Sequence, residues 1–421
     1  MGVLETTDRG EDPRPLPLAG IVVCDFTWIV AGPQATRILA DLGADVVKVE
    51  NESYLDSMRL GLQTDPAQPS VNGSGFHGNF NRNKRGITAN LHHPKGRQAV
   101  ERLIARSDIV IENFSAGAFD RMGFGWERLQ ELNPRAIYIS LSGFGQTGRD
   151  RTYITWGPTA AAVSGCTQMS GLPEEDPAGW GYSYLDHTAG YYGAIAALMA
   201  LHHRRRTGEA QHVDIAQIET GMVLTGVPML DYQVNGREYR RIGNRSERPP
   251  IAPHNTYRCA PDEVDDDRWI AIVAETHEQW SALCSVIGTP ELTSDTRFAS
   301  NEDRKRHEDE LDAAIEQRTR LRDARELMYA LQARGVPAGV CQRTDDKMER
   351  DEQLASRQFY RSAPHGHLGE HRYEGYPALF SDARWRMTRG SPLLGEDTLE
   401  VLTELGYTPE EYAEMAAELA V

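Results

Sequence analysis

Short apolar runs alternate with amphipathic segments over the first third of the chain. The apolar runs have the length of buried strands, and the segments between them repeat apolar residues at helical spacing. In chain order this pattern predicts strands at 20–26, 45–50, 85–91, 108–114 and 136–142, and helices at 33–42, 94–107 and 126–132. Because strands that alternate with helices form βαβ units, we expect an α/β fold with a parallel sheet.

The longest apolar segment predicts the longest helix, at 190–203. It ends in three arginines and then Gly208, and basic residues followed by glycine are typical of a helix C-terminus. The segment is shorter than the ~20 residues of a membrane span, so we expect no membrane association. The next run, 212–218, begins as a strand and leads toward another helix.

The second half of the chain predicts a smaller domain and a return to the first. Residues 1–225 are expected to form the N-terminal part of a large domain, and the polar stretch 226–267, with its prolines and acidic run, a linker. Strand and helix patterns at 268–345 indicate a small α/β domain, and 346–421 is expected to complete the large one. Near the end, Thr408, Pro409 and Glu411 have the spacing of a capping box.

Composition indicates which classes of partner the protein is expected to bind and in which compartment it is expected to lie. The 421 residues carry a formal net charge of -17, which argues against nucleic acid because phosphate neutralisation needs surplus Lys and Arg. The five cysteines are widely spaced without a C-x-x-C pair, which indicates a reducing compartment, and we expect the cytoplasm. The polar, acidic N-terminus lacks the apolar core of a signal peptide.

The usual nucleotide, hydrolase and metal motifs are missing. The first predicted strand leads into Ala31-Gly32-Pro33 and not into G-x-G-x-x-G, and neither a phosphate-binding P-loop, a G-x-S-x-G turn nor H-E-x-x-H occurs. His92-His93 and His202-His203 are adjacent pairs, and adjacent side chains point in different directions. We therefore expect no metal site.

Five segments in order resemble the family III CoA transferases, the formyl-CoA-transferase-like (carnitine and bile-acid type) enzymes. They are LAGIVVCDFTWIVAGPQATRILADLGADVVKVE, NRNKRGITANL with DIVIENFSAGAFDRMGF, NPRAIYISLSGFGQTG, YLDHTAGYYGAIAALMALHHRRRTGEAQHVDIAQ, and PLLGEDTLEVLTELGY. The resemblance implies a Rossmann-like parallel-sheet large domain, a smaller α/β domain and an interlocked homodimer. It also implies transfer of CoA from an acyl-CoA thioester to a free carboxylic acid, with no permanently bound cofactor.

Asp186 matches the position of the family's nucleophile. The resemblance implies that its carboxylate attacks the thioester to give a mixed anhydride, and that the released thiolate returns to give an aspartyl-CoA thioester. A helix N-terminus would favour the ionised carboxylate. On local sequence alone, an aspartate before a helix is more often an N-cap, and the two roles are compatible.

The resemblance also implies contacts with CoA. The matching positions are Ile29, Asn51, Ala89, His92, Asn113, Phe114, Arg121 and Met122. Asn51 stands where formyl-CoA transferases have a phosphate-binding arginine, and the nearby Arg82, Lys84 and Arg85 either compensate for it or form a solvated face.

Other positions bear on the acyl group. The residues expected near it are Trp28, Val30, Trp156 and His187. After CDFT, oxalate-using members place a glutamine near the reacting acyl group, whereas this chain reads Trp28-Ile29-Val30, and their glycine-rich closing loop is not recognisable here. We therefore expect an acyl group larger and less polar than oxalate or formate. Trp180, Tyr182, Tyr191 and Tyr192 fit such a pocket or an ordinary core equally well.

Two other functions stay open. An acyl-CoA racemase or isomerase on the same fold needs an acid-base pair, for which His187 beside Asp186 is the available candidate. A non-catalytic acyl-CoA-binding subunit would keep the CoA contacts and dispense with the nucleophile.

Overall fold

A six-stranded parallel sheet forms the centre of the larger compact unit. The computed structural model describes residues 12–421, so residues 1–11, on which the expectation about a signal peptide partly rests, lie outside it. The strands are β1 Val22–Asp25, β2 Asp45–Glu50, β3 Arg85–Thr88, β4 Ile109–Glu112, β5 Ile137–Ser142 and β6 His212–Ala216. Their order across the sheet is β3-β2-β1-β4-β5-β6, and every neighbouring pair is parallel.

This strand order creates a topological switch point. The chain moves outward from β1 to β2 and β3 on one side, then returns to place β4 against the other edge of β1. Ligands of open α/β sheets bind outside the carboxyl ends of the strands at such a point. The predicted α/β fold with a parallel sheet is confirmed.

Helices cover the sheet between the strands. In chain order they are α1 Ala31–Asp41, α2 Ser57–Leu60, α3 Gly75–Asn81, α4 Pro94–Arg106, α5 Ala118–Arg121, α6 Trp126–Leu132, α7 Gly157–Val163, α8 Cys166–Met169, α9 Tyr184–Thr207, α10 Gln217–Leu224 and α11 Gly226–Asn235. The predicted C-terminus of the long helix is confirmed, because α9 ends before Gly208 in left-handed conformation.

Small residues bring α9 close to α1. A methyl group added to Gly193 would lie 3.1 Å from Cβ of Ala35, and one on Gly190 would lie 2.8 Å from the Ala31 carbonyl oxygen. Ala194, Ala197 and Ala200 are buried in the same apolar core as Ala35. These side chains fix α9, and with it the residues of its first turn, against the sheet.

The smaller unit comprises Gln168–Ala178 and Tyr239–Asp351. Its strands are β7 Ser246–Glu247, β8 Pro250–Ile251, β9 His254–Arg258, β10 Trp269–Val273 and β11 Ala338–Val340, and its helices are α12 His277–Ile287, α13 Asn301–Arg306, α14 Glu308–Thr319 and α15 Ala324–Gln332. Short 3₁₀ turns occur at Pro290–Ser294 and Thr296–Phe298, and a π-helical turn at Asp346–Arg350. Trp280 and Tyr257 lie in its separate apolar core.

The stretch expected as a linker, 226–267, contains one helix and three strands. Its first residues form α11, and β9 pairs with β10 in an antiparallel three-stranded sheet. Composition suggested a linker because prolines and acidic residues dominate the stretch, yet the prolines flank a strand whose Tyr257 is buried. The smaller unit therefore begins at Tyr239 and also takes in Gln168–Ala178.

The last part of the chain rejoins the larger unit. It contains α16 Glu352–Ser356, the hairpin β12 Tyr360–His365 and β13 Gly369–Glu374, then α17 Thr398–Glu404 and α18 Pro409–Ala417. Tyr373, Trp385 and Met387 bury their side chains in the same core as β1 and α1. The predicted capping box of α18 is confirmed, with the Thr408 hydroxyl accepting from the Glu411 amide at 3.2 Å.

Neither a membrane-spanning helix nor a cluster of metal-ligating side chains occurs within residues 12–421. No helix in that range is long and apolar enough to cross a bilayer. The same residues hold no group of three or more His, Cys, Asp or Glu side chains placed to ligate a metal ion.

Candidate active site at the carboxyl edge of the sheet

A cavity of about 480 Å³ opens at the carboxyl ends of β1 to β4. Its lining residues are Phe26, Trp28, Val49, Glu50, Asn51, Tyr54, Ala89, Leu91, His92, Arg97, Phe114, Arg121 and Met122. The Trp28 ring lies 5.3 Å from that of Tyr54 and 5.9 Å from that of Phe114, measured between centroids. These rings provide flat apolar surface on which a planar ring system can stack.

Basic side chains lie at the rim of this first cavity. Arg97 is held in place because its Nη1 donates to the Met122 carbonyl at 2.8 Å and its guanidinium lies 4.5 Å from the Phe124 ring centroid. Arg121 is exposed and has no side-chain hydrogen bond or ion pair to any residue from 12 to 421. The two guanidinium groups offer a positive edge to an anionic ligand, and the His92 ring lines the same cavity.

A second, smaller cavity of about 180 Å³ adjoins the first. It is lined by Ile29, Val30, Ala31, Asn113, Phe114, Ser115, Leu141, Ser142, Gly143, Tyr153, Ile154, Thr155, Trp156, Asp186 and Gln217. Phe114 lines both cavities, so a ligand that is long enough can lie in the first cavity and reach into the second.

Asp186 is the carboxylate of the second cavity. It lies in the first turn of α9, which begins at Tyr184, and only 8% of its surface is exposed. The N-cap interpretation is wrong, because Ser183 occupies the N-cap position. Burial raises the pKa of the Asp186 carboxyl above its ordinary value, and a hydrogen bond from Gln217 lowers it in part.

Two neighbours fix the Asp186 carboxylate. The Gln217 amide, at the first residue of α10, donates from Nε2 to Asp186 Oδ1. The Gln217 Oε1 accepts from the Thr155 hydroxyl at 3.3 Å. On the other side, Gly157 packs so closely that a methyl group there would lie 2.8 Å from Asp186 Oδ2.

The loop after β1 carries backbone strain between the two cavities. Ile29 has a φ of +68°, which is costly for a β-branched residue. Its N–H donates to Asp56 Oδ2 at 3.1 Å, and Asp56 is wholly buried with its carboxylate 3.7 Å from Lys48 Nζ. Asn113 holds Trp28, the residue before Ile29. Its side chain accepts from Trp28 N at 2.7 Å and donates to Trp28 O at 3.0 Å. The side chains of Asp56 and Asn113 therefore hold the loop in one conformation.

A buried glutamate supports the same edge from β4. Glu112 accepts from the Phe114 amide at 2.7 Å and from the Tyr138 hydroxyl at 3.0 Å. Burial raises the pKa of Glu112 to about 7. These bonds fix the backbone of Phe114, the residue shared by the two cavities.

The basic cluster differs from both sequence-based expectations. Arg82 and Lys84 are fully buried, where Arg82 pairs with Asp41 at 2.7 Å and Lys84 pairs with Asp25 at 3.0 Å. Arg85 binds the Asp45 carboxylate at 2.5 Å. None of the three basic residues lines either cavity, so within the described chain they are neither a free solvated face nor a replacement for the missing arginine. Buried basic groups need acidic partners, and here the partners come from the sheet and α1.

The structure gathers most of the predicted site residues around the two cavities. Asn51, Ala89, His92, Phe114, Arg121 and Met122 line the first, and Ile29, Val30, Asn113, Phe114, Trp156 and Asp186 line the second. Trp28, expected near the acyl group, lines the first cavity instead. His187 lines neither, and its ring lies 5.6 Å from that of Phe80 and 6.2 Å from that of Tyr182.

Several residues of the site were not identified from the sequence. Arg97, Gly157 and Gln217 each touch a cavity or the buried carboxylate, and Asp56 holds the strained loop. The position of Gln217 near the end of the run 212–218, which begins as a strand, was a usable signal, because side chains at the carboxyl ends of parallel strands converge.

The similarity to known proteins covers nearly the whole chain. The pattern of CoA-transferase family III matches residues 18–398. A succinyl-CoA–D-citramalate CoA-transferase from Chloroflexus aurantiacus is 34% identical, with 97% of this chain and 98% of that protein aligned. A succinate–glutarate CoA-transferase from Agrobacterium fabrum is 32% identical, with 93% and 96% aligned. The crystal structure of a CaiB/BaiF family protein from Brucella suis superposes with a TM-score of 0.85 at 32% identity, covering 93% of this chain and 100% of that one.

Proposed function

The chain belongs to CoA-transferase family III and is a CoA transferase, and we propose that it works through covalent intermediates on Asp186. The observation that carries the proposal is a buried carboxylate at the wall of a small cavity that adjoins a larger, aromatic and basic one. Family members act on CoA thioesters and carboxylic acids. The first cavity has the stacking surface and positive rim that the nucleotide end of CoA needs.

The proposed reaction needs only Asp186 as a covalent group. Its carboxylate attacks the acyl-CoA carbonyl, the C–S bond breaks, and a mixed anhydride and CoA thiolate result. The thiolate attacks the aspartyl carbonyl of the anhydride, giving aspartyl-CoA thioester and the free donor acid. The acceptor carboxylate then attacks the thioester and again releases thiolate, which attacks the acceptor's acyl carbon. The new acyl-CoA leaves, and the Asp186 carboxylate is regenerated.

We propose that the acyl group is larger and less polar than oxalate or formate. The second cavity presents Val30, Ile154 and Trp156 to the space beside Asp186. Trp156 is 55% exposed, so it is a cavity wall and not a core residue. The apolar side chains of Val30 and Ile154 favour acids with a hydrocarbon portion, because they offer no hydrogen-bond donor to oxalate's second carboxylate.

A transfer assay tests the function. The protein is incubated with succinyl-CoA and each of a panel of acids: oxalate, glutarate, citramalate, a branched acid and an aromatic acid. We expect a new acyl-CoA whose amount equals the succinate formed, with oxalate the poorest acceptor. Release of free CoA without a new thioester, for every acid, would contradict transfer; a preference for oxalate would contradict the acyl-group proposal alone.

Arg121 is expected to contribute to binding of the nucleotide end. Substitution Arg121→Ala should raise the KM for succinyl-CoA about tenfold and leave kcat nearly unchanged, because a charge-assisted contact to phosphate is lost. Arg128→Ala is the matched control, since Arg128 is a partly exposed arginine that pairs with Glu101 and Glu131 and lines neither cavity. An unchanged KM in Arg121→Ala would remove Arg121 from the proposed CoA site.

We also propose a homodimer. The helices α9, α10 and α11 expose a continuous series of large apolar side chains: Tyr191, Tyr192, Ile195, Leu198, Met199, Met222, Val223, Leu224, Val227, Met229, Leu230, Tyr232 and Val234. Exposed apolar surface on this scale is typical of an interface between subunits. Light scattering should give twice the chain mass of 47.0 kDa; a monomer would contradict the dimer.

The five free cysteines fit the cytoplasm as the proposed location, because a reducing compartment keeps thiols unpaired.

A further inference from the structure

We infer that the side-chain amide of Gln217 is a catalytic hydrogen-bond donor, which stabilises the negative charge that forms on Asp186 Oδ1 when the aspartyl carbonyl is attacked. The inference rests on the proposed function, since it assigns a role within the covalent mechanism on Asp186. It concerns a residue that the sequence did not mark as catalytic.

The contacts of Gln217 define which end of its amide faces Asp186. Nε2 donates to Asp186 Oδ1, and Oε1 accepts from the Thr155 hydroxyl. Because a hydroxyl donor opposite Oε1 favours this orientation of the amide, the NH₂ end is directed at the carboxylate. Gln217 is 4% exposed, so water competes little for these bonds.

The backbone around the amide is equally fixed. Gln217 is the first residue of α10, directly after β6, and its carbonyl accepts from the Thr220 hydroxyl at 2.7 Å. The Thr220 hydroxyl also lies 3.2 Å from that of Thr188 on α9. The donor and the nucleophile therefore belong to two helices that are hydrogen-bonded to each other, and their separation is set before substrate binds.

The chemistry requires charge stabilisation at this oxygen. In the first and last steps the attacked carbon belongs to the acyl group. In the two middle steps the attacked carbon belongs to Asp186: CoA thiolate attacks the anhydride, and the acceptor carboxylate attacks the aspartyl-CoA thioester. Each middle step moves an electron pair onto the aspartyl oxygen that is not in the anhydride bridge. A donor placed at that oxygen stabilises the tetrahedral state, and collapse of that state expels the donor acid or the thiolate.

The geometry divides the two carboxylate oxygens between two roles. Oδ1 accepts from Gln217, whereas Oδ2 has no such amide donor within residues 12–421 and faces Gly157, where an added methyl group would lie 2.8 Å away. Oδ2 is thus the oxygen that forms the bridge to the acyl group, and Oδ1 stays as the carbonyl oxygen against its donor. A neutral amide suits this role because it remains a donor in every intermediate and never transfers its proton.

The test is a single-turnover experiment on Gln217→Met, which keeps the side-chain length and removes the donor. Enzyme and succinyl-CoA are mixed, quenched in acid, and the CoA adduct on the protein is followed by intact mass. Formation of aspartyl-CoA should slow by about a hundredfold or more, the cost of losing one such donor. The dissociation constant for succinyl-CoA and the thermal midpoint should stay near those of the wild type.

A pH profile separates this role from a structural one. The Gln217 hydrogen bond lowers the pKa of the Asp186 carboxyl, so its loss raises that pKa further. Because attack needs the ionised carboxylate, the acid limb of kcat/KM should move to higher pH in Gln217→Met. Thr155→Val, which frees the amide to rotate, should give a smaller loss of the same kind, and Thr155→Ser should restore the rate. Thr403→Val is the control, since the Thr403 hydroxyl on α17 donates to the Leu399 carbonyl at 2.8 Å and lines neither cavity.

The outcomes distinguish the two proposals. If the wild-type enzyme forms no CoA adduct with any donor, the covalent mechanism itself is wrong. If the wild type forms the adduct and Gln217→Met forms it at a similar rate with an unshifted acid limb, only the role of Gln217 is wrong.

Discussion

Replacing Asp186 with asparagine is expected to lower the rate of CoA transfer at least about a thousandfold, because the carboxamide cannot form the anhydride. The change is nearly isosteric, and the buried site keeps its contact with Gln217 in altered form. Steady-state formation of new acyl-CoA measures the loss. Binding of succinyl-CoA, followed by calorimetry, should change little, since the first cavity is lined by other residues.

His187 supplies the matched comparison for Asp186. Its ring packs near Phe80 and Tyr182 and does not line the second cavity, so His187→Asn should retain transfer within a few-fold. A racemase or isomerase would instead need His187 as one half of an acid-base pair. Loss of activity in His187→Asn, together with deuterium uptake from solvent at the substrate α-carbon, would favour that alternative. Full transfer by Asp186→Asn would contradict the nucleophile outright.

Adding a single methyl group at Gly157 is expected to lower kcat about a hundredfold. The new Cβ would lie 2.8 Å from Asp186 Oδ2 and 2.8 Å from Ser183 Cβ, so the carboxylate must move from its position. Displacement of a reacting group by about 1 Å costs a loss of this order. Steady-state kinetics of Gly157→Ala with succinyl-CoA give the measurement.

Stability should not explain that loss. Gly157 begins α7, and alanine is a better helix former than glycine by about 1 kcal/mol in a helix interior. Gly226 begins α11 and has no heavy atom within 4 Å of an added Cβ, which makes Gly226→Ala the matched control. We expect normal kinetics in the control; a Gly157→Ala enzyme with wild-type kcat would show that Oδ2 has no close wall there.

The fold of the larger unit was predictable because its signals are local. Buried parallel strands are short apolar runs, and 45–50 and 126–132 coincide with an observed strand and helix. The hairpin Tyr360–His365 and Gly369–Glu374 gave no such signal, since only alternate residues such as Ala363 and Tyr373 are buried and the strands are otherwise polar. Its place in the core depends on contacts with residues of β1 and α1, which are distant in sequence.

The site was predictable in part for a similar reason. Residues that directly follow strands, such as Asn113 and Phe114, converge by topology, and resemblance marked Asp186. Gln217 and Gly157 matter through distances to Asp186 that no local pattern contains. The basic cluster was not predictable, because the sequence does not show which acidic group each basic residue pairs with. Arg82 and Lys84 pair with buried aspartates from α1 and β1.

The surroundings of the aromatic residues near Asp186 were also not predictable from the sequence. Tyr182, Tyr191 and Tyr192 were expected in a pocket or in a core, yet about half of each side chain is exposed in the single chain. Tyr191 and Tyr192 belong to the face that we propose as the homodimer interface, and a pairing of two chains leaves no pattern in the sequence of one.

The most direct test of covalent catalysis by Asp186 is mass spectrometry of the peptide that contains Asp186 after incubation with succinyl-CoA and then hydroxylamine. Hydroxylamine attacks an activated aspartyl carbonyl and leaves a hydroxamate. We expect that hydroxamate on Asp186, dependent on acyl-CoA and absent from Asp186→Asn. An unmodified Asp186 peptide in an enzyme that is turning over acyl-CoA and acid would contradict it.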